Sequence, residues 1–231
     1  MRKLLLLFIS VVSYGQWNLY PTYFKYLNKQ RDILNQYYFK ADTNEKIVVL
    51  SFDDGPNKHT AKIMKVLKKY NAPATFFLIA KNLQKRYDYL YNNPLFNVGM
   101  HTYSHKNFDK ISKKQIERDF QKAILAFKSH NLDYSLFRPA YGVVNKKVLS
   151  SLNRYNIKPI IWSNDTNDWN KKYKNYQKVV DNLSSGDIIL MHDHATSPKE
   201  LENLILKIRA KGFNIVSIKR LLRDRSNYPI N

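Results

Sequence analysis

The sequence predicts an α/β fold of one domain, a distorted and incomplete (β/α)7 barrel of the TIM type. Three observations lead to this prediction. Strand and helix patterns alternate about seven times along the chain. No Pro-, Gly- or Ser-rich linker and no internal repeat interrupts the alternation. At 231 residues and 44% hydrophobic content, the chain is long enough for one full core and too apolar for disorder.

The first predicted strand is the apolar run of residues 47–52, which is followed by Asp-Asp-Gly-Pro. A run of this length closed by Gly-Pro is typical of a strand buried on both faces in a parallel sheet. Asp53 and Asp54 stand where this strand ends, the end at which barrels of parallel strands build active sites. Adjacent charges there cost free energy unless a cation or a substrate uses them. The alternative is a loop Asp pair that caps the next helix.

Six further strands and seven helices are predicted in alternation after the first strand. The strands cover 74–79, 96–100, 136–137, 159–162, 188–191 and 213–216. The helices cover 63–70, 83–91, 111–127, 146–155, 176–183, 201–210 and 218–223. This alternation favours a parallel barrel, and seven strands are one fewer than a complete barrel of this type contains.

Two segments precede the main domain, which is predicted to cover residues 47–231. Residues 1–15 have the layout of a signal peptide, with a basic start, an apolar run over 4–12 and small residues at the usual cleavage spacing. The run is short for a membrane span, and an uncleaved N-terminal anchor is the alternative. Residues 16–46 are predicted to form an N-terminal helical extension, with a helix from Pro21 toward Lys40. We therefore expect a secreted or cell-envelope protein, periplasmic or extracellular.

Composition restricts the chemistry. The chain has no cysteine, so it contains no disulfide and any metal site must use His, Asp or Glu. The net charge of +21 comes mostly from lysines spread along the whole chain, whereas a nucleic-acid-binding arm would be clustered. We expect no specific nucleic-acid partner. A diffuse positive surface suits association with an anionic cell envelope, and a genome-wide Lys and Asn bias is the alternative explanation.

Polar residues follow five of the predicted strands. They are Asp53 and Asp54, the segment 101–105 (His-Thr-Tyr-Ser-His), the segment 138–142 (Arg-Pro-Ala-Tyr-Gly), the segment 165–169 (Asp-Thr-Asn-Asp-Trp), and His192. In a barrel of parallel strands all of them lie on the same rim. Residues scattered for structural reasons would not converge in this way.

The rim residues include the elements of a hydrolytic metal site. His101 and His105 are one helical turn apart, so both imidazoles face one point if this segment is helical. With one carboxylate they form a two-histidine, one-carboxylate set that leaves coordination positions open. The other Asp is then free to act as a base on the attacking water, and His192 is placed to protonate a leaving group. The remaining histidines are predicted to be solvated or to lie on the rim without a ligand role: His59, His130 and His194.

These five segments, taken in order, resemble the five motifs of the NodB-homology polysaccharide deacetylases, carbohydrate esterase family 4. The quoted segments are Ser-Phe-Asp-Asp-Gly, His-Thr-Tyr-Ser-His, Arg-Pro-Ala-Tyr-Gly, Asp-Thr-Asn-Asp-Trp and Leu-Met-His, and the resemblance extends from residue 47 to about residue 222. There are two departures. Ser51 replaces the more usual Thr and keeps the hydroxyl, and Ala140 replaces a frequent Pro. No expected catalytic position is lost.

The resemblance implies a role for each site residue. The general base is Asp53, oriented by Arg138, and the general acid is His192, with Asp168 rather than Asp165 as its acidic partner. The implied ligands of the divalent metal are Asp54, His101 and His105. The implied substrate contacts are the backbone N–H of Tyr141 at the oxyanion and the side chains of Leu190 and Trp169 around the acetyl methyl. The metal is expected to be zinc, with cobalt, manganese and nickel as alternatives.

The expected function is metal-dependent N-deacetylation of N-acetylglucosamine in a polysaccharide, carried out by a monomer. Peptidoglycan and poly-N-acetylglucosamine are the first substrate candidates, and chitin oligosaccharides come next. Two alternatives remain open. One is deformylation or deacetylation of a lipid-linked amino sugar, which a retained membrane anchor would favour. The other is a non-catalytic basic protein that binds glycan or nucleic acid, which would lose no function when Asp53 is neutralised.

Overall fold

The computed structural model describes residues 26, 27 and 29–223, so the signal or anchor expected over 1–15 lies outside the described residues. Its strands are β1 (Ile47–Gly55), β2 (Ala74–Leu78), β3 (Phe96–Met100), β4 (Leu136–Phe137), β5 (Lys158–Pro159), β6 (Asn164–Asp165), β7 (Asp187–His192) and β8 (Asn214–Ile215). Its α-helices are α1 (Arg31–Leu34), α2 (Thr60–Lys69), α3 (Asp88–Tyr91), α4 (Lys113–Ser129), α5 (Lys146–Arg154), α6 (Tyr176–Asp181), α7 (Pro198–Ala210) and α8 (Ile218–Leu221).

The strands form one parallel sheet in the order β5-β4-β3-β2-β1-β7-β6, and β8 pairs with the first two residues of β1. The sheet curls into an incomplete barrel with helices outside it, which confirms the predicted fold class. Because β1 pairs with three strands, β2, β7 and β8, the buried strand predicted to begin at residue 47 is the one around which the sheet is built. None of the helices in the described part of the chain is long and apolar enough to cross a membrane.

The side chains of β1 alternate between two buried layers, as the period of a strand requires. Val48, Leu50 and Phe52 belong to the large cluster that includes residues of the surrounding helices. Ile47 and Val49 belong to a smaller cluster that includes residues of three other strands and of α8. Each of these side chains is fully buried, and burial of one such side chain stabilises the fold by about 1.5–3 kcal/mol. The apolar run of β1 is therefore required on both faces.

The prediction of one strand over 159–162 is wrong. The chain forms β5 at 158–159 and β6 at 164–165, which lie at opposite ends of the sheet, so the sheet has eight strands in place of the seven expected. The residues between them pair elsewhere: Ile160 forms a parallel bridge with Tyr38. An apolar run shows that a segment is buried, but it does not show with which strand each residue pairs.

The sheet leaves a gap between its two ends, β5 and β6, which we call the seam. Residues 38–41 lie in this seam. The Tyr38 N–H donates to the carbonyl of Pro159 at 2.9 Å, and the Ile161 N–H donates to the carbonyl of Tyr38 at 2.8 Å. On the other side, the Ala41 N–H donates to the carbonyl of Gly186 at 2.9 Å. The open sheet edges thus receive the hydrogen-bond partners that a buried backbone requires.

This pairing limits the N-terminal helix. Among the described residues before Lys40, helical structure is confined to residues 26–27 and α1, so the helix expected to continue toward Lys40 ends at Leu34. Lys40 instead lies in an antiparallel bridge with Asp187, and its Nζ is 3.3 Å from the buried carboxylate of that residue. Pairing of the backbone N–H and C=O groups at the seam is therefore favoured over continuation of the weakly predicted helix.

Candidate active site

A β-bulge brings two consecutive carboxylates to the same place. The pairing of β1 with β2 runs from Asp53, opposite Phe77, to Gly55, opposite Leu78, and skips Asp54. The φ angle of Asp54 is 74°, in the left-handed region that non-glycine residues rarely adopt. Neighbouring side chains on a regular strand point to opposite faces. The bulge removes that restriction, so both Asp53 and Asp54 reach the rim.

Asp54, His101 and His105 form a cluster of metal-ligating atoms. One carboxylate oxygen and one nitrogen from each imidazole lie within 4.8 Å of one another. Asp54 Oδ1 is 3.5 Å from Nε2 of His101 and 3.1 Å from Nε2 of His105, yet this buried oxygen makes no hydrogen bond of proper geometry. A buried acceptor facing two ring nitrogens without a hydrogen bond fits a cation bound between them. Two imidazoles and one carboxylate also match the donor preference of zinc and related divalent ions.

The two histidines converge through a loop and not through a helical turn, so the helical geometry proposed for them is wrong. Thr102 and His105 have φ angles of 63° and 57°. The His105 N–H donates to Oγ1 of Thr102 at 2.8 Å, which closes the loop on itself. Strained backbone of this kind persists only where the surroundings hold it in place.

Asp119 of α4 supplies that support, and its role was not evident from the sequence. This buried carboxylate accepts hydrogen bonds from the Tyr103 N–H and the Ser104 hydroxyl, both at 2.6 Å. The residues bound by Asp119 lie between the two histidines. The only sequence signal was a carboxylate on the apolar face of a helix pattern, near Ile116 and Phe120.

The protonation pattern of the cluster favours metal binding. His101 Nδ1 is 2.8 Å from the carbonyl of Arg138, so Nδ1 carries the proton and Nε2 keeps its lone pair toward Asp54. Burial lowers the pKa of His101 and thereby favours the neutral imidazole, against the opposing charges of Asp53 and Asp54. Burial also acts to raise the pKa of Asp54, but the 3.1 Å contact with Nε2 of His105 and the charges of the surrounding histidines lower it overall. Asp54 is therefore an anion, and the buried imidazole of His101 faces it with the lone pair of Nε2.

Asp53 has a different partner. Nη1 of Arg138 donates to Asp53 Oδ1 at 2.8 Å and to the hydroxyl of Ser51 at 2.9 Å. Arg138 is fully buried, and its guanidinium lies 4.1 Å from the centre of the Phe77 ring. The second oxygen of Asp53 lies 3.7 Å from Nε2 of His101. Asp53 is thus fixed through one oxygen, while the other faces the histidine cluster.

His192 ends β7 directly opposite Asp53 in the paired strands. Its Nδ1 is 2.8 Å from Asp168 Oδ1, and its backbone N–H donates to Asp168 Oδ2 at 2.7 Å. Burial lowers the pKa of His192, but the hydrogen bond and charge of Asp168, together with the charges of Asp53 and Asp54, raise it to about 9. Asp165 is occupied elsewhere, because its Oδ1 accepts from the N–H of Asn167. The structure therefore brings Asp168, and not Asp165, to His192.

A hydrogen-bond chain that the sequence did not indicate supports Asp168. The Tyr176 hydroxyl lies 2.9 Å from Oγ1 of Thr196, whose hydroxyl donates to Asp168 Oδ2 at 2.6 Å. Asp193 provides a second link: this buried carboxylate accepts from the side chains of Asn57, at 2.5 Å, and Thr60. Asp193 therefore ties the loop after β7 to the loop after β1.

The remaining predicted residues lie around this centre. Tyr141 is 61% exposed, has a φ angle of 60°, and its ring lies 4.9 Å from the ring of His105. Trp169 is 52% exposed beside Asp168, and Leu190 is buried in β7. Exposed aromatic and buried aliphatic surface thus lie on the same rim as the polar groups.

Two of the remaining histidines have charged neighbours. His194 is half-exposed on the rim, as predicted, but its Nδ1 lies 3.8 Å from Asp54 Oδ2. His130 was expected to be solvated, and this is wrong. It is largely buried at the end of α4, with Nδ1 2.7 Å from the carboxylate of Asp88. That contact joins segments 42 residues apart, so local sequence could not indicate it.

Similar proteins are known by sequence and by structure. The family described as polysaccharide deacetylase matches residues 40–160. A peptidoglycan-N-acetylglucosamine deacetylase of Bacillus cereus is 30% identical over 85% of this chain and 98% of its own length. One of Listeria monocytogenes is 34% identical over 80% of this chain, which spans only 41% of that longer protein. A solved CE4 family pseudoenzyme from Bacillus anthracis superposes with a TM-score of 0.73 at 26% identity, covering 80% of this chain and 68% of that one.

Proposed function

The chain belongs to the polysaccharide deacetylase family, and we propose that it hydrolyses the acetamide group of N-acetylglucosamine units in a polysaccharide by metal-dependent catalysis. One observation carries the proposal: the convergence of Asp54, His101 and His105 beside the Asp53–Arg138 pair. A solved structure of the same fold is a pseudoenzyme, so the argument for activity rests on these side chains and not on the fold. Peptidoglycan is the first substrate candidate, because two relatives are named for it.

The proposed metal ligands are Asp54, His101 and His105, and the proposed ion is Zn²⁺. A divalent ion held there supplies Lewis-acid polarisation of the acetamide carbonyl and a lowered pKa for water. His101 carries its proton on Nδ1, which donates to the carbonyl of Arg138. This hydrogen bond orients the imidazole with Nε2 toward Asp54. The same hydrogen bond joins the ligand set to the residue that holds Asp53.

Asp53 is the proposed general base. The guanidinium of Arg138 holds its Oδ1, so Oδ2 is the oxygen available to accept a proton from the attacking water. Arg138 is itself fixed, because its Nη2 donates to the carbonyl of Ile161 at 2.8 Å. A base held in one orientation beside the ligand cluster supports the proposed general-base role.

His192 is the proposed general acid. Asp168 binds its Nδ1, which leaves Nε2 to donate a proton to the departing amine. The raised pKa of His192, about 9, keeps the imidazole protonated at neutral pH. Asp53 and His192 are opposite each other in adjacent strands, so a base and an acid flank the same point of the rim.

The proposed substrate contacts are Tyr141, Trp169 and Leu190. The backbone N–H of Tyr141, in the loop after β4, is the proposed donor to the oxyanion that forms when water attacks the carbonyl. Leu190 and Trp169 are proposed to enclose the acetyl methyl, which favours apolar surface. Support for these roles comes from their position on the rim: Trp169 is adjacent to Asp168, and Tyr141 contacts the ring of His105.

The test is acetate release from a panel of acetylated glycans by the purified, zinc-loaded protein. We expect release from peptidoglycan or poly-N-acetylglucosamine fragments, loss of activity with a chelator, and recovery when zinc returns. Formate release from a formylated amino sugar would favour the deformylase alternative. Glycan binding without hydrolysis, unchanged in an Asp53→Asn variant, would favour a non-catalytic binding protein and contradict the proposal. We also propose that the protein acts at the cell envelope, because its relatives are named for peptidoglycan. Recovery of the protein only from the cytoplasmic fraction of fractionated cells would contradict this location.

A further inference from the structure

The described residues that precede β1 contact the loop that follows β4. We call residues 26, 27 and 29–41 the N-terminal segment, and residues 138–145, which carry the proposed donor to the oxyanion, the oxyanion loop. The hydroxyl of Tyr26 donates to the carbonyl of Val144 at 2.8 Å and accepts from the N–H of Val144 at 2.9 Å. Among the described residues, these two backbone groups have no other hydrogen bond. One side chain of the N-terminal segment thus pairs both backbone groups of a fully buried residue of the loop.

Apolar packing joins the same two parts of the chain. Buried side chains of the segment, of the loop, of α5 and of the residues after β5 form one cluster: Leu27, Ile33, Tyr37, Val144, Leu149 and Ile161. Tyr26 is partly buried against this cluster. Burial raises the pKa of the Tyr26 hydroxyl, which therefore stays protonated and able to donate. The contact between Tyr26 and Val144 is thus part of a packed interface.

The start of the oxyanion loop is connected to the N-terminal segment as well. The N–H of Ile161 donates to the carbonyl of Tyr38 at 2.8 Å. The carbonyl of Ile161 in turn accepts from Nη2 of Arg138, the first residue of the loop, at 2.8 Å. The segment therefore holds the loop near both ends, at Arg138 through Ile161 and at Val144 through Tyr26.

Between these ends the loop has an unfavourable backbone conformation. The φ angles of Tyr141 and Gly142 are 60° and 64°, both in the left-handed region. The side chain of Tyr141 is 61% exposed, so burial of this residue does not fix its position. A non-glycine residue keeps such a conformation only where the surrounding structure imposes it. The direction of the Tyr141 N–H therefore depends on how firmly the ends of the loop are held.

We propose that Tyr26 is a positioning residue for catalysis, which fixes the end of the oxyanion loop at Val144 and thereby directs the N–H of Tyr141 toward the oxyanion. The inference rests on the proposed function and adds to it a residue from outside the barrel. Tyr26 acts through the loop and does not itself contact the substrate. A hydrogen bond to the oxyanion gains strength only as the carbonyl oxygen becomes charged, so the effect belongs to the transition state.

The test variant is Tyr26→Phe, which keeps the ring in the apolar cluster and removes only the hydroxyl. Its kcat and KM are measured with the zinc-loaded protein on one soluble acetylated oligosaccharide. We expect kcat to fall roughly 10-fold, less than the about 10²- to 10³-fold that follows removal of an oxyanion donor, because the donor is displaced and not removed. KM and the zinc Kd should stay as in the wild type, since the proposed metal ligands lie in other loops.

A second measurement separates positioning from stability. A phosphonamidate analogue of the acetamide carries a tetrahedral, negatively charged oxygen in place of the oxyanion. Its inhibition constant should rise in Tyr26→Phe by the same factor by which kcat/KM falls, as expected for an analogue of the transition state. The control is Tyr155→Phe at the end of α5, because the hydroxyl of Tyr155 has no hydrogen bond among the described residues. This variant should match the wild type in all of these constants.

The possible outcomes distinguish this inference from the proposed function. A Tyr26→Phe protein with a lowered Tm but with the kcat and inhibition constant of the wild type would show a purely structural role and overturn the inference. A loss confined to KM or to zinc affinity would overturn it too, because the oxyanion loop would then not be the part affected. In both cases acetate release by the wild type leaves the proposed function intact. Absence of acetate release from the zinc-loaded wild type would reject the proposed function itself.

Discussion

At the scale of single residues, Asp53 and Asp54 are neighbours in the chain with different surroundings. Arg138 holds Asp53 at 2.8 Å, whereas Asp54 faces the nitrogens of His101 and His105. The bulge in β1 and the positive φ of Asp54 make this separation, because a regular strand would send the two side chains to opposite faces. Two identical side chains therefore receive different proposed roles from their surroundings.

The first prediction separates these roles. Asp53→Asn should retain bound zinc, because Asp53 is assigned to the water, but its rate should fall by about 10²-fold or more, the scale of general-base catalysis. Asp54→Asn is the matched variant and should lose metal affinity by more than the roughly 10- to 100-fold typical of residues that only support a ligand. Metal analysis of both purified variants decides the assignment. Loss of zinc from Asp53→Asn with retention in Asp54→Asn would show that the roles are reversed.

The second prediction concerns the pH dependence of His192. A general acid works when protonated, so kcat/KM should fall as the pH rises through its pKa, about 9. Asp168 raises that pKa, since its charge and hydrogen bond favour the imidazolium. Asp168→Asn should therefore move the falling limb toward lower pH, by about two units if the pKa returns to the usual range of histidine.

The measurement is a pH–rate profile on one soluble acetylated oligosaccharide, for the wild type and Asp168→Asn. Asp165→Asn is the control, because Asp165 accepts a backbone hydrogen bond from Asn167. Its falling limb should stay in place. An unmoved limb in an active, zinc-loaded Asp168→Asn enzyme would reject Asp168 as the partner, and a shift in Asp165→Asn would transfer the role.

At the scale of elements, the loop after β3 depends on the helix that follows it. The loop carries both proposed histidine ligands and has strained backbone at Thr102 and His105. Asp119 of α4 accepts hydrogen bonds from the N–H of Tyr103 and the hydroxyl of Ser104 and thereby stabilises the loop. The helix thus contributes to the site by supporting the loop that carries the proposed ligands.

The third prediction tests this support. Asp119→Ala removes two hydrogen bonds from the loop and should weaken zinc affinity by roughly 10- to 100-fold, as for other residues that orient ligands. Asp181→Ala is the control, because this exposed carboxylate of α6 binds only the side chain of Gln177 among the described side chains. Zinc Kd values from a competition titration provide the comparison. Equal Kd values in the two variants, with both proteins folded, would contradict a positioning role for Asp119.

At the scale of the whole molecule, the barrel is completed by chain that precedes it. The sheet ends at β5 and β6, and residues 38–41 bind backbone groups on both sides of the gap. Gly186 lies at the closest approach, with φ of 82° and its own N–H bound to the carbonyl of Ile47. A Cβ atom at this position would lie 2.1 Å from the carbonyl oxygen of Ala41. Glycine is therefore the only residue that fits at position 186 of the seam.

The fourth prediction compares two glycines with the same backbone conformation. Gly212 has φ of 79°, but a Cβ there would meet only the Lys46 side chain at 3.8 Å. Gly212→Ala should therefore cost about 1–2 kcal/mol of folding free energy from backbone strain alone. Gly186→Ala should cost at least about 2 kcal/mol more because of the clash, which lowers Tm by roughly a further 4–8 °C. Equal Tm values for the two variants would show that the seam contributes little to stability.

The sequence by itself determined the fold class and the set of residues on the rim. Both depend on patterns that are local in the chain, namely apolar runs that must be buried and polar residues that follow them, because the carboxyl ends of parallel strands share one edge. The same locality explains why the sequence alone predicts that Asp53, His101 and His192 lie together.

Only the tertiary structure decided what depends on contacts between distant segments. The pairing of Ile160 with Tyr38, the loop geometry of His101 and His105, and the support from Asp119 are of this kind. In each case, hydrogen bonding to a partner that is available in the folded chain determined the conformation, and the local sequence preference did not. An unpaired polar group that is buried costs about 1–3 kcal/mol of folding free energy, which exceeds most local conformational preferences. The sequence alone does not show which hydrogen-bond partners will be close to such a group.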